Sequence, residues 1–182
     1  CPDGSFQYQH NGTENLNDSF NYEAVDESGT CADPEAGPRF GSTATVTINV
    51  SQRNDCPTAI DDVYTVDENE TLLADGQGPN PKGVINKENT SQANAKDNDP
   101  EGDAFTVQLK PIQAGQLQHA ISLTCPSNAL ASPTICPDGT FQYVHDGSET
   151  TIDRFEYVIT PGVACVVAGD DTGEVVINIT PA

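Results

Sequence analysis

The 182 residues predict an all-β chain of tandem immunoglobulin-like β-sandwiches, and three observations carry that expectation. A long segment occurs twice in the same order, as it does in modular arrays. Short segments with apolar residues at every second position recur between Gly, Pro and Asn/Asp turns. No window sustains helical periodicity.

The first copy opens at Cys1-Pro2-Asp3-Gly4-Ser5-Phe6-Gln7-Tyr8 and the second at Cys136-Pro137-Asp138-Gly139-Thr140-Phe141-Gln142-Tyr143. His10, Gly12, Glu14, Asp18, Phe20 and Tyr22 match His145, Gly147, Glu149, Asp153, Phe155 and Tyr157. The match closes with Val46-Thr47-Ile48-Asn49-Val50 against Val175-Val176-Ile177-Asn178-Ile179. Each copy reads as three strands, around Phe6/Tyr8, Phe20/Tyr22 and Val46/Ile48/Val50 and their equivalents. Between the copies, Val63 to Val66, Gly83 to Ile85, Phe105 to Leu109 and Leu117 to Leu123 read as four more. Residues 56–182 then hold the seven strands of a whole sandwich. Residues 1–55 hold only the last three of another. Three strands expose an apolar face and open edges. The missing half is expected either upstream in a longer chain or from another chain by strand donation, which would make a filament subunit.

Composition bounds the function. Asp and Glu number 28 against 7 Lys and Arg, a net charge of -21, which disfavours nucleic acid and anionic membranes as partners. Hydrophobic residues are 35 %, with no Met or Trp, a balance that leans toward disorder unless cations neutralise the acids. Six cysteines without a C-x-x-C pair point to disulfides and an oxidising, extracellular setting. No apolar run reaches membrane-spanning length. A chain opening at Cys1-Pro2, without initiator Met or signal peptide, is expected to be a processed or truncated piece of something secreted.

The densest chemistry is Asp97-Asn98-Asp99-Pro100-Glu101-Gly102-Asp103, with a carboxylate at every second position and no Lys or Arg inside. Each close pair of such charges costs roughly 1 kcal/mol even in high dielectric. The run is either a loop splayed into water or a set of oxygens around a hard cation such as Ca²⁺. It is not an EF-hand: Gln108 stands where the loop's bidentate Glu would be, and Ala104 to Leu109 alternates like a strand.

Several motifs together resemble bacterial cadherin-like tandem repeats of secreted adhesins and surface fibres. They are Asn54-Asp55-Cys56-Pro57-Thr58-Ala59, Asp61-Asp62-Val63-Tyr64-Thr65-Val66-Asp67-Glu68, the Asp97–Asp103 run, the D-G-[ST]-F-x-Y turn and the D-x-F-x-Y strand. The resemblance implies extracellular modules joined end to end and stiffened by calcium. In it, Asp97, Asp99, Glu101 and Asp103 are the leading ligands. Asn54, Asp55 and Asp62 come second, Glu14 and Asp18 third, and Asp146, Glu149 and Asp153 serve the next junction. The cysteines and the long insert from Ala74 to Asn94 depart from many such repeats.

The expected alternation of strand direction suggests bridges Cys1–Cys31, Cys136–Cys165 and Cys56–Cys125, with Cys125–Cys136 as the main competitor. Asn11, Asn17, Asn49, Asn69, Asn89 and Asn178 each begin an N-x-[ST] sequon and are candidate glycosylation sites. His10 and His145, at matched positions, fit a turn or strand end better than a reacting base, and His119 stands alone. With no nucleophile elbow and no phosphate-binding Gly loop, an enzyme is not expected. Two functions remain. One is a calcium-rigidified structural repeat whose partners are neighbouring copies or modules. The other is a calcium-dependent module that binds a carbohydrate or protein through the Ala74–Asn94 insert.

Overall fold

The computed structural model describes residues 4–25, 40–88, 92–93, 95–113, 120–127, 133–165 and 171–181. The chain is almost entirely β, arranged in two compact units, Cys1–Arg53 and Asn54–Ala182. Among the described residues, helix is confined to a 3-10 turn at Val84–Asn86.

The first unit is a hairpin of β1 (Asn17–Val25) and β2 (Phe40–Asn49). The expected strand around Phe6 and Tyr8 is not formed, and Phe6 is exposed. Its equivalent in the second unit is held between two neighbouring strands. Residues 4–10 have no such neighbours among the described residues, so an alternating sequence has no ladder to join.

The second unit has seven strands: β3 (Asp62–Asp67), β4 (Thr71–Ala74), β5 (Phe105–Leu109), β6 (Ala120–Thr124), β7 (Phe141–His145), β8 (Ile152–Pro161) and β9 (Thr172–Thr180). One sheet has the order β3-β9-β8-β5 and the other β4-β7-β6. β3 runs parallel to β9, Tyr64 opposite Ile177, while the other pairings are antiparallel. β3 to β4, β4 to β5, β5 to β6 and β7 to β8 each change sheets, which is the Greek-key connectivity of immunoglobulin-like sandwiches.

One strand expectation is corrected in this unit. Gly83 to Ile85 is not a strand but the lead-in and start of the 3-10 turn. The strand is β4, whose Leu72 and Ala74 alternate inward. Val84 is nevertheless fully buried, and its N–H donates to the Gly139 carbonyl at 2.9 Å. Gly83 packs so closely on Gly139 that a Cβ there would enter the carbonyl. The described early part of the Ala74–Asn94 insert is thus keyed into the core.

Alternation builds that core. Tyr64 and Val66 of β3, Phe141 and Tyr143 of β7, Phe155, Tyr157 and Ile159 of β8, and Val175, Ile177 and Ile179 of β9 all point inward. Phe141 makes edge-to-face contacts with Tyr64 (5.1 Å) and Phe155 (5.3 Å), a favoured geometry for ring quadrupoles. Gly173, opposite Tyr157 in the ladder, leaves the space that the ring fills.

The disulfides also differ from expectation. Cys56 pairs with Cys165, and Cys125 with Cys136 as in the competing arrangement, so Cys56–Cys125 and Cys136–Cys165 are not formed. Each bridge lies at the end of one sheet: Cys125–Cys136 links the neighbouring strands β6 and β7, whereas Cys56–Cys165 reaches past β9. Cys56 leads toward β3 and Cys165 follows β8; Cys125 ends β6 and Cys136 precedes β7. Their Cα separations are 5.1 and 4.7 Å, within the reach of a disulfide. Shared position at one end of a sandwich does not choose between its two layers; proximity does. Cys1 and Cys31 lie outside the described residues.

Candidate metal centre

The acidic run lies on the loop leading into β5, and its alternation gives it two sides. Asp97 and Asp99 are buried and Glu101 and Asp103 half-buried, while Asn98, Pro100 and Gly102 face water. Gly102, at φ +79°, makes the bend, a conformation that favours glycine. Its N–H donates to the Asp99 carbonyl at 3.1 Å. The Asp99 Oδ1 accepts from the N–H groups of Glu101 (3.1 Å) and Asp103 (2.9 Å), which holds the loop in this form.

The chain leading into β3 is laced to this loop. Thr58 and Asn98 exchange backbone hydrogen bonds at 2.8 and 3.1 Å. The Asp55 N–H donates to Glu101 Oε1 at 3.2 Å, and the Ile60 N–H donates to Asp97 Oδ1 at 2.7 Å. On the far side, the Ala59 N–H donates to Asp171 Oδ2 at 2.7 Å and the Asn54 amide to the Ala164 carbonyl at 3.3 Å. The Cys56–Cys165 bridge closes the same corner.

Asp62 is the deepest member. It shares the inward face of β3 with Tyr64 and Val66, is fully buried, and neither carboxylate oxygen has a hydrogen-bond partner. Glu101 Oε2 is likewise buried without one. Burial pushes the Asp62 carboxyl up to about 8; Asp97 and Asp61 add to the rise and Lys87 opposes it. Burial also pushes Asp97 up to about 6, against the lowering pull of the Ile60 N–H and the Tyr157 hydroxyl, while Asp171 raises it. The Tyr157 hydroxyl donates to Asp97 Oδ1 at 2.8 Å and lies 3.0 Å from the Ile60 carbonyl. Burial, with these acids nearby, drives Tyr64 and Tyr157 well above the usual phenol range. The pocket therefore holds more negative charge than its donors satisfy, and only a proton or a cation can supply the difference.

Of the sequence candidates, Asp97, Asp99, Glu101, Asp103, Asn54, Asp55 and Asp62 thus belong to one corner of the second unit. Glu14 is exposed in the loop before β1. Asp18 has other company: its Oδ1 accepts from the Ser19 N–H at 2.8 Å, and with burial it raises the Tyr8 phenol. The same pairing recurs as Tyr143 donating to buried Asp153 at 2.6 Å. Asp153 is thus a buried partner of a tyrosine, whereas Asp18 stays exposed beside Tyr8. Tyr157 and Asp171 were missed. In the sequence Tyr157 reads only as an alternating strand position, and Asp171 lies in an Asp-Asp pair just ahead of β9.

Other candidates fall elsewhere. His10 and His145 each accept, through Nδ1, the N–H of a glycine at positive φ two residues on, Gly12 at 3.3 Å and Gly147 at 3.2 Å. Asn11, Asn17, Asn49 and Asn69 are exposed, Asn178 is half-buried on β9, and Asn89 and His119 lie outside the described residues. A shallow cavity of about 220 Å³ beside the insert is lined by Asp75, Lys82, Asn86 and Asp138 among others. There Asp75 Oδ1 is engaged by the Gln77 N–H and the Asn80 amide, both at 2.9 Å. No helix among the described residues is long and apolar enough to cross a membrane.

Strand order and register define a two-layer Greek-key sandwich of the immunoglobulin-like or cadherin-like class, with an acidic corner where the chain enters it. No family model matches the chain, and no curated protein does. Among solved structures, the crystal structure of human mucin-like protocadherin EC1-2 is similar, with a TM-score of 0.38 at 17 % identity. The match covers 78 % of this chain and 61 % of that one, so the chain spans about three fifths of that structure.

Proposed function

We propose that the Asn54–Ala182 unit is a structural module of an extracellular adhesion or surface-fibre protein, in which calcium fixes the acidic corner. The observation that carries this reading is the Asp62 carboxylate, fully buried with both oxygens unpartnered. Asp62, Asp97, Asp99, Glu101 and Asp103 would supply oxygens, with Asn54 and Asp55 at the edge. Hard cations take such a set of six to eight oxygens. When bound, the ion would supply the positive charge that this chain otherwise replaces with protons. The segment ahead of β3 would then be held against the 97–103 loop and its approach to the sandwich stiffened, with neighbouring modules or copies as partners. Two disulfides in one small unit support an oxidising, extracellular compartment.

Calorimetric titration with calcium against chelated protein, paired with thermal unfolding, tests this. Binding with proton release and a rise in Tm is expected. An unchanged Tm and no heat at millimolar calcium would remove the metal from the proposal.

A further inference from the structure

The repeat supplies an internal control for the first unit. β1–β2 copies β8–β9 in register: Phe20 faces Val46 as Phe155 faces Val175, and Asp18 faces Ile48 as Asp153 faces Ile177. The closing hydrogen bonds also match, Val50 N–H to the Leu16 carbonyl at 2.8 Å and Ile179 N–H to the Thr151 carbonyl at 2.9 Å. Burial does not match. Phe6, Phe20 and Tyr22 are 56 %, 38 % and 52 % exposed, whereas Phe141, Phe155 and Tyr157 are 0 %.

What covers the second set is visible. Tyr64, Val66, Leu72, Val84, Val107 and Leu123 are buried in the same core, and all belong to residues 54–135. That half also pairs with the hairpin's edges, β3 parallel along β9 and β5 antiparallel along β8. Neither outer edge of the β1–β2 ribbon has a strand beside it among the described residues. The cysteines agree at the level of sequence. Cys1 matches Cys136, and in sequence Cys31 falls between the β1 and β2 segments as Cys165 falls between those of β8 and β9. The partners of Cys136 and Cys165 are Cys125 and Cys56, both in the covering half.

We propose that the β1–β2 face is an acceptor surface for a polypeptide half-module of the chemistry of residues 54–135. That partner brings four strands, an apolar inner face and two cysteines placed like Cys56 and Cys125. It lies parallel along β2, antiparallel along β1, and forms one disulfide with Cys31 and one with Cys1. Each bridge removes two protons and two electrons from two thiols. Oxidised glutathione accepts them and leaves as two glutathione molecules. A second ribbon packed face to face is a poorer occupant, because it would leave every strand edge unpaired.

The test places a second copy of residues 54–135 directly ahead of Cys1 in the full chain, joined as Ile135 joins Cys136, and refolds it with oxidised and reduced glutathione. Amide exchange in β1 and β2 should slow by about 100-fold or more, toward that of β8 and β9. Peptide mapping should find Cys1 bridged to the added copy of Cys125 and Cys31 to the added copy of Cys56. Phe20→Asp should abolish the protection. Supplying the added half as a separate polypeptide, co-refolded with the 182-residue chain, should give the same two bridges. Unchanged exchange in both formats, or a Cys1–Cys31 bridge that persists in the extended chain, overturns the proposal. So does self-association of the 182-residue chain that protects β1 and β2 by itself.

Discussion

Replacing Asp62 with Asn separates the cost of a buried carboxylate from its use. In chelator, the folded chain holds a proton on Asp62 up to about pH 8, whereas the unfolded carboxyl releases it near 3.8. Between those values the native state binds more protons than the unfolded state, so stability falls as pH rises. The gap of about four units corresponds to roughly 6 kcal/mol at about 1.4 kcal/mol per unit. Asp97 behaves alike, but its window closes at about pH 6. From pH 6 to 8 Asp62 therefore acts without Asp97, and chelated wild type should lose roughly 3 kcal/mol. Asp62→Asn, which presents the shape of the protonated acid without its titration, should be nearly flat over that range and more stable than wild type at pH 8. Calcium should reverse the order, because wild type offers a charged ligand and the variant an amide. Urea unfolding read by circular dichroism and tyrosine emission, from pH 5 to 8.5 with and without chelator, measures all of this. Parallel curves for wild type and variant between pH 6 and 8 in chelator would refute the burial argument.

The remaining expectations concern the frame around that corner. Cys56→Ser with Cys165→Ser opens a link across 109 residues of sequence and should cost about 5 kcal/mol, against about 3 for Cys125→Ser with Cys136→Ser across 11; paired urea curves would show the order. Tyr143→Phe strips buried Asp153 of a donor and should cost about 1–3 kcal/mol, with a smaller effect from Tyr8→Phe, whose partner Asp18 is exposed. Gly173→Ala puts a methyl group into the Tyr157 ring and should lower stability by about 1–3 kcal/mol, while Thr172→Ala, next to it, should change little. A Gly173→Ala protein as stable as wild type would show that the ring has room to move.

Much of this was legible in the residues. Strict alternation in β3, β7, β8 and β9 located the strands and their inward faces, because a pleated chain sends successive side chains to opposite sides. The same alternation set Asp97, Asp99, Glu101 and Asp103 on one side of their loop. It also held the signal for Asp62, which is in phase with Tyr64 and Val66 and so had to face the core. The D-G-T turn was equally plain: Asp138 accepts from the Thr140 N–H at 3.0 Å, and Gly139 takes the positive φ of +82°.

Questions of neighbourhood were different. A four-residue strand such as β4 is shorter than its own pattern can announce, and Val84 is as apolar in a 3-10 turn as in a strand. Cysteine pairing depends on which layer each sulfur ends in, which spacing does not encode. Asp153 looks like a loop acid in the chain and becomes the partner of Tyr143 only once β7 and β8 face each other across the two layers. The deepest instance is the repeat itself. Two stretches with matching residues and the same hairpin register differ in burial, because an apolar face becomes a core only when a second layer lies against it, and in the second unit β4 and β6, from residues 54–135, flank β7 to complete that layer.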